Sequence, residues 1–133
     1  KFMLGIVALS LLLVAAPITA QAGTGYAIYK PGLIKSAIAN GETVFLLIYR
    51  PGEEPARAKL GAEKARASYP EYDKSITFVL IDWDTFSTHA VTTSRKIPRR
   101  STMVLIKGGK EIDRLVAQTS EEKIKALLDN GLK

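Results

Sequence analysis

The sequence has 133 residues, of which 47% are hydrophobic and 24% are charged, and its formal net charge at pH 7 is +6. This length allows one domain with a single core, and this composition excludes a disordered chain. There is no cysteine, which excludes disulfides, thiolate catalysis and cysteine metal sites, and the single histidine, His89, cannot hold zinc alone. We therefore expect no cofactor and no metal. Like charges form no long run, so nucleic acid is not an expected partner.

The N-terminal segment predicts a signal peptide over residues 1–22. Met3 to Ala16 is an apolar stretch with the length of a signal-peptide core, and Ala20-Gln21-Ala22 has the small residues that precede a cleavage site. Cleavage after Ala22 would place the protein in the periplasm or outside the cell. The alternative is an uncleaved membrane anchor over Phe2 to Ala20, which is the one case in which a membrane would be a partner. Pro17 and the cleavage pattern favour removal.

The first half of the remaining sequence predicts a lead-in, two helices and the strand between them. Residues 23–30 are expected to form a lead-in or a short edge strand. Pro31 to Asn40 predicts a short helix, since proline suits a helix start and the following Asn-Gly suits its end. Thr43 to Tyr49 is a continuous apolar run, typical of a strand covered on both faces. Ala56 to Ser68 is rich in helix-forming residues and predicts a long helix.

The second half predicts a strand over Ser75 to Asp82, a weak helix over Phe86 to Lys96, a β-hairpin and a last helix. In the hairpin, Gly108-Gly109 joins a strand over Thr102 to Lys107 to its partner over Lys110 to Ala117. A capping box of Thr119 and Glu122 is expected to start the last helix. The order α-β-α-β-α-β-β-α predicts an α/β three-layer sandwich with a mixed sheet, as one domain over residues 31–133.

Three segments, over residues 45–57, 97–102 and 107–114, resemble the thioredoxin family in their order and spacing. In the first segment, Glu53 and Ala56 occupy the positions of the family's two active-site cysteines, and Pro55 between them is retained. In the second, Ser101 replaces the family's cis proline, while Thr102 after it survives. The third segment is similar to the family's closing hairpin. The resemblance therefore implies a thioredoxin-like sandwich whose active site is degenerate at Glu53, Glu54, Pro55 and Ala56.

This resemblance implies a redox-inactive domain, because no residue can form a mixed disulfide. An enzyme of another chemistry, built on Glu53, Glu54 and the arginines, is not expected either, because it needs a pocket with perturbed acids that the sequence does not show. Leu47 stands where the family has a buried acid, which would serve no purpose without the thiols. The function expected on this basis is a non-catalytic protein- or peptide-binding or chaperone-like module. The alternative is an accessory or regulatory member of a periplasmic thiol–disulfide pathway.

Two groups of residues at the degenerate site have alternative interpretations. Glu53 and Glu54 are interpreted first as acids at a helix start, where the helix dipole stabilises negative charge, and second as a contact surface for a basic partner. A third interpretation, a general acid/base pair, is disfavoured because the dipole favours the charged form, whereas a general acid must hold its proton at neutral pH. The basic stretch before Ser101 consists of Arg95, Lys96, Arg99 and Arg100. It is either a solvated loop or the rim of a groove that attracts an acidic exported protein or peptide, anionic lipid or polysaccharide. The candidate groove residues are Tyr49, Arg99, Arg100, Ser101 and Thr102, with Tyr49 also open to a packing role.

Overall fold

The computed structural model describes residues 25–53 and 56–133. The predicted signal peptide over residues 1–22 lies outside the described residues, as do Glu54 and Pro55 of the degenerate site. Within the two described ranges, no helix has both the length and the apolar character needed to cross a membrane.

A mixed five-stranded sheet in the order β1-β3-β2-β4-β5 forms the centre of the domain. The strands are β1 (Ala27–Ile28), β2 (Thr43–Tyr49), β3 (Ile76–Asp82), β4 (Thr102–Lys107) and β5 (Lys110–Val116). Strand β3 pairs in parallel with β1 and β2, whereas β4 is antiparallel to both β2 and β5. The predicted mixed sheet and its C-terminal antiparallel hairpin are confirmed.

Helices cover both faces of this sheet. They are α1 (Leu33–Ala39), α2 (Arg57–Ala67), α3 (Glu71–Ser75), α4 (Trp83–Phe86), α5 (Ala90–Thr93) and α6 (Glu121–Gly131). Alternate residues of β2 point to opposite faces. Phe45 and Leu47 pack in the core cluster formed with α2, α3 and α6, whereas Leu46 and Ile48 pack in the cluster formed with α1 and α5. The α/β three-layer sandwich is therefore confirmed.

Two local predictions were wrong. The helix expected over residues 86–96 is replaced by the short helices α4 and α5. Helix α4 starts earlier because the Asp82 carboxylate accepts hydrogen bonds from the amides of Asp84 at 2.8 Å and Thr85 at 3.4 Å. The residue that caps the last helix is Ser120 and not Thr119. Its hydroxyl oxygen accepts a 3.2 Å hydrogen bond from the Lys123 amide.

Helices α2 and α6 pack closely on one face of the sheet because of Gly61. A Cβ atom at this position would lie 2.3 Å from the carbonyl oxygen of Thr119 and 2.8 Å from Cδ1 of Ile124. The segment that leads into α6 therefore lies directly against the backbone of α2. This packing brings Thr119 close to the start of α2, where the degenerate site is located.

Candidate functional site

The degenerate site lies at one edge of the sheet, between the turn after β2 and the loop before β4. These strands are antiparallel neighbours, and Ile48 near the end of β2 is paired with Thr102 at the start of β4. The turn over residues 50–53 and the loop over residues 97–101 are therefore adjacent, although they are far apart in the sequence.

Hydrogen bonds on both sides hold Ser101 in place. Its amide donates to the carbonyl oxygen of Ile48 at 2.7 Å, and its own carbonyl accepts from the amide of Ala117 at 2.9 Å. Ser101 and Ala117 both have left-handed backbones, with φ of 59° and 58°. The Thr102 hydroxyl donates to the Arg99 carbonyl oxygen at 2.6 Å, and Thr102 is fully buried. Of these two candidate groove residues among the five, Ser101 thus borders the surface and Thr102 supports the loop from below.

The Glu53 carboxylate is bound by the Arg100 guanidinium through three short contacts. Arg100 Nε lies 3.1 Å from Oε1 and 3.0 Å from Oε2, and Nη2 lies 2.8 Å from Oε2. These hydrogen bonds are the main reason why the pKa of Glu53 lies below the ordinary value of a glutamate. The interpretation of Glu53 as a helix-start acid is wrong, because α2 begins at Arg57 and its first turn contains no acid.

A cleft of about 410 Å³ opens beside this ion pair. It is lined by Glu53, Arg57, Arg99, Arg100, Ser101, Ala117 and Thr119. Among the residues that the structure describes, three guanidinium groups and one carboxylate give this lining a net charge of 3 − 1 = +2. Within the described ranges, Arg57 and Arg99 have no carboxylate within salt-bridge distance, and both are exposed. We refer to this surface as the arginine cleft.

Only part of the basic stretch before Ser101 belongs to the arginine cleft. Arg95 lines a separate pocket beside α1 and α5, where its Nη1 donates to the Val91 carbonyl oxygen at 2.9 Å. Arg57, by contrast, was not among the sequence candidates and stands directly after Ala56 in the cleft wall. Its position beside the degenerate motif was the signal that could have identified it.

Tyr49 lies between the core and the arginine cleft. It is half-buried and packs against the core cluster that contains Leu47, and it also borders a narrow crevice with Glu53 and Ala56. Burial raises the pKa of Tyr49, with a smaller contribution from the negative charge of Asp82. Leu47 itself is fully buried opposite Met103. The apolar side chain thus occupies a position where a charged acid would be costly.

The described residues contain no group of three or more histidine and acidic side chains that could hold a metal ion. No family model matches the sequence, and no curated protein matches it significantly. Solved structures, however, are similar to it in fold. The thioredoxin of Malassezia sympodialis has a TM-score of 0.68 and 18% identity, covering 89% of this chain and 98% of its own.

Two further structures agree with this comparison. The oxidised thioredoxin of Plasmodium falciparum has a TM-score of 0.63 and 21% identity, over 80% of this chain and 97% of its own. Trxlp from Edwardsiella tarda EIB202 has a TM-score of 0.65 and 18% identity, over 77% of this chain and 98% of its own. The fold is therefore thioredoxin-like. With no cysteine in the sequence, this domain cannot exchange disulfides through its own side chains.

Proposed function

We propose that this domain is a non-catalytic binding module that receives an acidic segment of a partner protein or peptide in the arginine cleft. The observation that carries the proposal is the lining of the cleft, where the described residues place Arg57, Arg99 and Arg100 around one carboxylate, that of Glu53. Guanidinium groups bind carboxylates with directional, paired hydrogen bonds. A local excess of positive charge also attracts acidic partners before contact and disfavours basic ones.

The shape and position of the cleft support a segment of chain as the ligand. A cleft of about 410 Å³ is large enough for a few side chains, and it is open to solvent on one side. One wall is formed by the fixed backbone of Ser101 and Ala117. A rigid wall lowers the entropic cost of binding, since little of the site needs to be ordered when the ligand arrives.

The test is the binding of a fluorescein-labelled hexaglutamate peptide to the purified protein, measured by anisotropy at pH 7 and low salt. We expect Arg57→Gln and Arg99→Gln each to weaken binding, by up to about fivefold for a partly exposed charge pair. The matched control is Lys110→Gln, which removes one exposed positive charge from the hairpin. It lies six residues along β5 from Val116, the residue that pairs with Thr102, so it is roughly 20 Å from the cleft and should leave the affinity unchanged.

Three results would contradict the proposal. The peptide could fail to bind, a hexalysine peptide could bind equally well, or the control variant could lose as much affinity as Arg99→Gln. The last result would show that only the overall charge of the protein attracts the peptide, without a local site.

We also propose that the protein is exported, on the basis of the signal-peptide pattern over residues 1–22 alone. N-terminal sequencing of protein recovered from the periplasm or the medium should begin at Gly23. A product that keeps residues 1–22 and stays in the membrane fraction would instead support the anchor alternative.

The second candidate function is an accessory role in a periplasmic thiol–disulfide pathway. The observation that favours it is the similarity in fold to thioredoxins. The arginine cleft would then receive an acidic segment of an active oxidoreductase. Recovery of a thiol oxidoreductase with the wild-type protein, and its loss with Arg99→Gln, would support this role.

A further inference from the structure

The Arg100 guanidinium is already engaged by a carboxylate of this chain. Glu53 receives both Nε and Nη2 of Arg100 at 2.8–3.1 Å. This two-nitrogen arrangement is the one with which an arginine would bind a carboxylate of a partner. Glu53 therefore occupies, within the arginine cleft, the position that an acidic ligand requires.

The contact is one that a ligand can replace. The side chains of Arg100 and Glu53 remain 33% and 37% exposed, so water reaches both groups when they separate. Partly exposed ion pairs of this kind are weak, because solvent compensates each charge when the pair opens.

The positions of the two residues in the fold also allow the pair to separate. Glu53 lies in the turn after β2 and before the first residue of α2, so its displacement breaks no helical hydrogen bond. Arg100 has its backbone fixed by neighbouring bonds, since its carbonyl accepts from Arg99 Nε at 3.0 Å and Ser101 is bonded on both sides. The arginine would thus stay in place while the glutamate moves away.

We propose that Glu53 is an internal competitor for the arginine cleft, holding Arg100 until an acidic segment displaces it. This inference rests on the proposed binding function and adds its regulation. In the free domain, Glu53 neutralises one of the three arginines, and segments with few carboxylates do not displace it. A segment with several carboxylates also contacts Arg57 and Arg99, and this added attraction displaces Glu53.

The test compares hexaglutamate binding to the wild type and to Glu53→Gln, Arg100→Gln and the double variant. We expect Glu53→Gln to bind about two- to fivefold more tightly, the range set by the release of a partly exposed ion pair. The gain should be smaller when Arg100 is also replaced, because the arginine that Glu53 blocks is then absent. The matched control is Glu63→Gln, which removes one carboxylate of α2 paired with Lys59 at 3.6 Å. It should leave the affinity unchanged.

The outcomes separate this inference from the proposed function. If the wild type binds hexaglutamate and Arg99→Gln weakens it, but Glu53→Gln binds no more tightly, the competitor role is overturned while the binding function stands. Weaker binding by Glu53→Gln would also overturn it, because Glu53 would then position Arg100 for the ligand. An equal gain in affinity from Glu63→Gln would overturn it too, because the gain would then come from the net charge of the protein alone. If no form binds the peptide, both the function and the competitor role are overturned.

Discussion

The amide of Ser101 donates a 2.7 Å hydrogen bond to the carbonyl oxygen of Ile48, and Ser101 itself has a φ of 59°. Proline could neither donate this hydrogen bond nor adopt this φ, because it has no N–H group and its ring fixes φ at about −65°. The resemblance to the thioredoxin family places a proline at this position. Ser101 therefore makes a backbone hydrogen bond, between the end of β2 and the loop before β4, that a proline at this position could not make.

Replacing Ser101 tests this relationship directly. We expect Ser101→Pro to lower the free energy of unfolding by about 3 kcal/mol or more, because it removes the bond and is incompatible with the backbone angle. Ser101→Gly should raise it by up to about 1 kcal/mol, since glycine adopts a positive φ without steric cost. Urea denaturation of both variants measures these changes.

The control for the glycine substitution is Ser87→Gly, at a position with a right-handed backbone of φ −57°. It should lower stability, because there glycine brings only its extra unfolded-state entropy. A Ser101→Pro variant as stable as the wild type would show that neither the hydrogen bond nor the positive φ of Ser101 contributes to stability.

Replacing Gly61 by alanine gives a second test, because the helix preference for alanine and the close contact with Thr119 predict opposite changes in stability. In an exposed helix, Gly→Ala stabilises by about 1 kcal/mol. Here the added Cβ would lie 2.3 Å from the Thr119 carbonyl oxygen, a backbone atom that cannot move alone. We therefore expect Gly61→Ala to destabilise the domain by about 1–3 kcal/mol, as overpacked sites do. A gain in stability on urea denaturation would contradict the close approach of α2 to this segment.

The elements that the sequence predicted well are those whose burial is complete. Strands β2 and β4 have the predicted bounds, because their apolar runs lie between two helical layers and nothing competes with that environment. The region after β3 was predicted poorly. Helices α4 and α5 have four residues each; α4 starts at the Asp82 cap, and α5 has no side-chain cap. Helices this short are too brief to give a clear periodic pattern in a sequence.

The candidate site was predicted in its location but not in its chemistry. The resemblance brought residues 53–56 and 99–102 together. It could not show that Glu53 and Arg100, 47 positions apart, form an ion pair, since this depends on the path of two turns. Sequence adjacency also grouped Arg95 with Arg99 and Arg100. The structure separates them, because the Arg95 side chain turns back to the Val91 carbonyl oxygen.

A buried arginine joins the start of the described chain to the domain. The side chain of Arg66 is 1% exposed, with Nε 2.8 Å from the Asp73 carboxylate and Nη1 2.8 Å from the Gly25 carbonyl oxygen. Its guanidinium carbon lies 3.9 Å from the centre of the Phe78 ring. A planar cation with several donors can satisfy all three contacts at once, whereas lysine has neither the plane nor the spread of donors.

We therefore expect Arg66→Lys to be strongly destabilising although it keeps the charge. Arg66→Ala should cost about 3–5 kcal/mol, the range for breaking a buried ion pair, and Arg66→Lys should recover less than half of that loss. Thermal or urea unfolding measures both variants. The matched control is Arg57→Lys, at an exposed position on the same helix, which should change stability little. Full stability of Arg66→Lys would show that charge alone is needed at this site.

The pair of Glu111 and Arg114 predicts how stability depends on pH. Arg114 Nε and Nη2 lie 2.6 Å and 2.7 Å from the carboxylate oxygens of Glu111. Hydrogen bonds from Arg114 hold the pKa of Glu111 below its ordinary value of 4.5. The same Nη2 also donates to the Arg95 carbonyl oxygen at 2.8 Å, so the pair joins β5 to the chain that leads to the arginine cleft.

Because the folded pKa of Glu111 is lowered, the unfolded chain binds a proton first as the pH falls. The contribution of the pair to stability is therefore complete above about pH 4.5, the ordinary glutamate value, and is lost as the pH falls through the folded pKa. Since the carboxylate is partly exposed, we expect Glu111→Gln to cost only about 0.2–1 kcal/mol at pH 7. Urea denaturation at pH 7, 4 and 3 should show the difference between wild type and variant shrinking as the pH falls. A difference that stays constant with pH would mean that Glu111 acts through packing, and that its charge does not stabilise the fold.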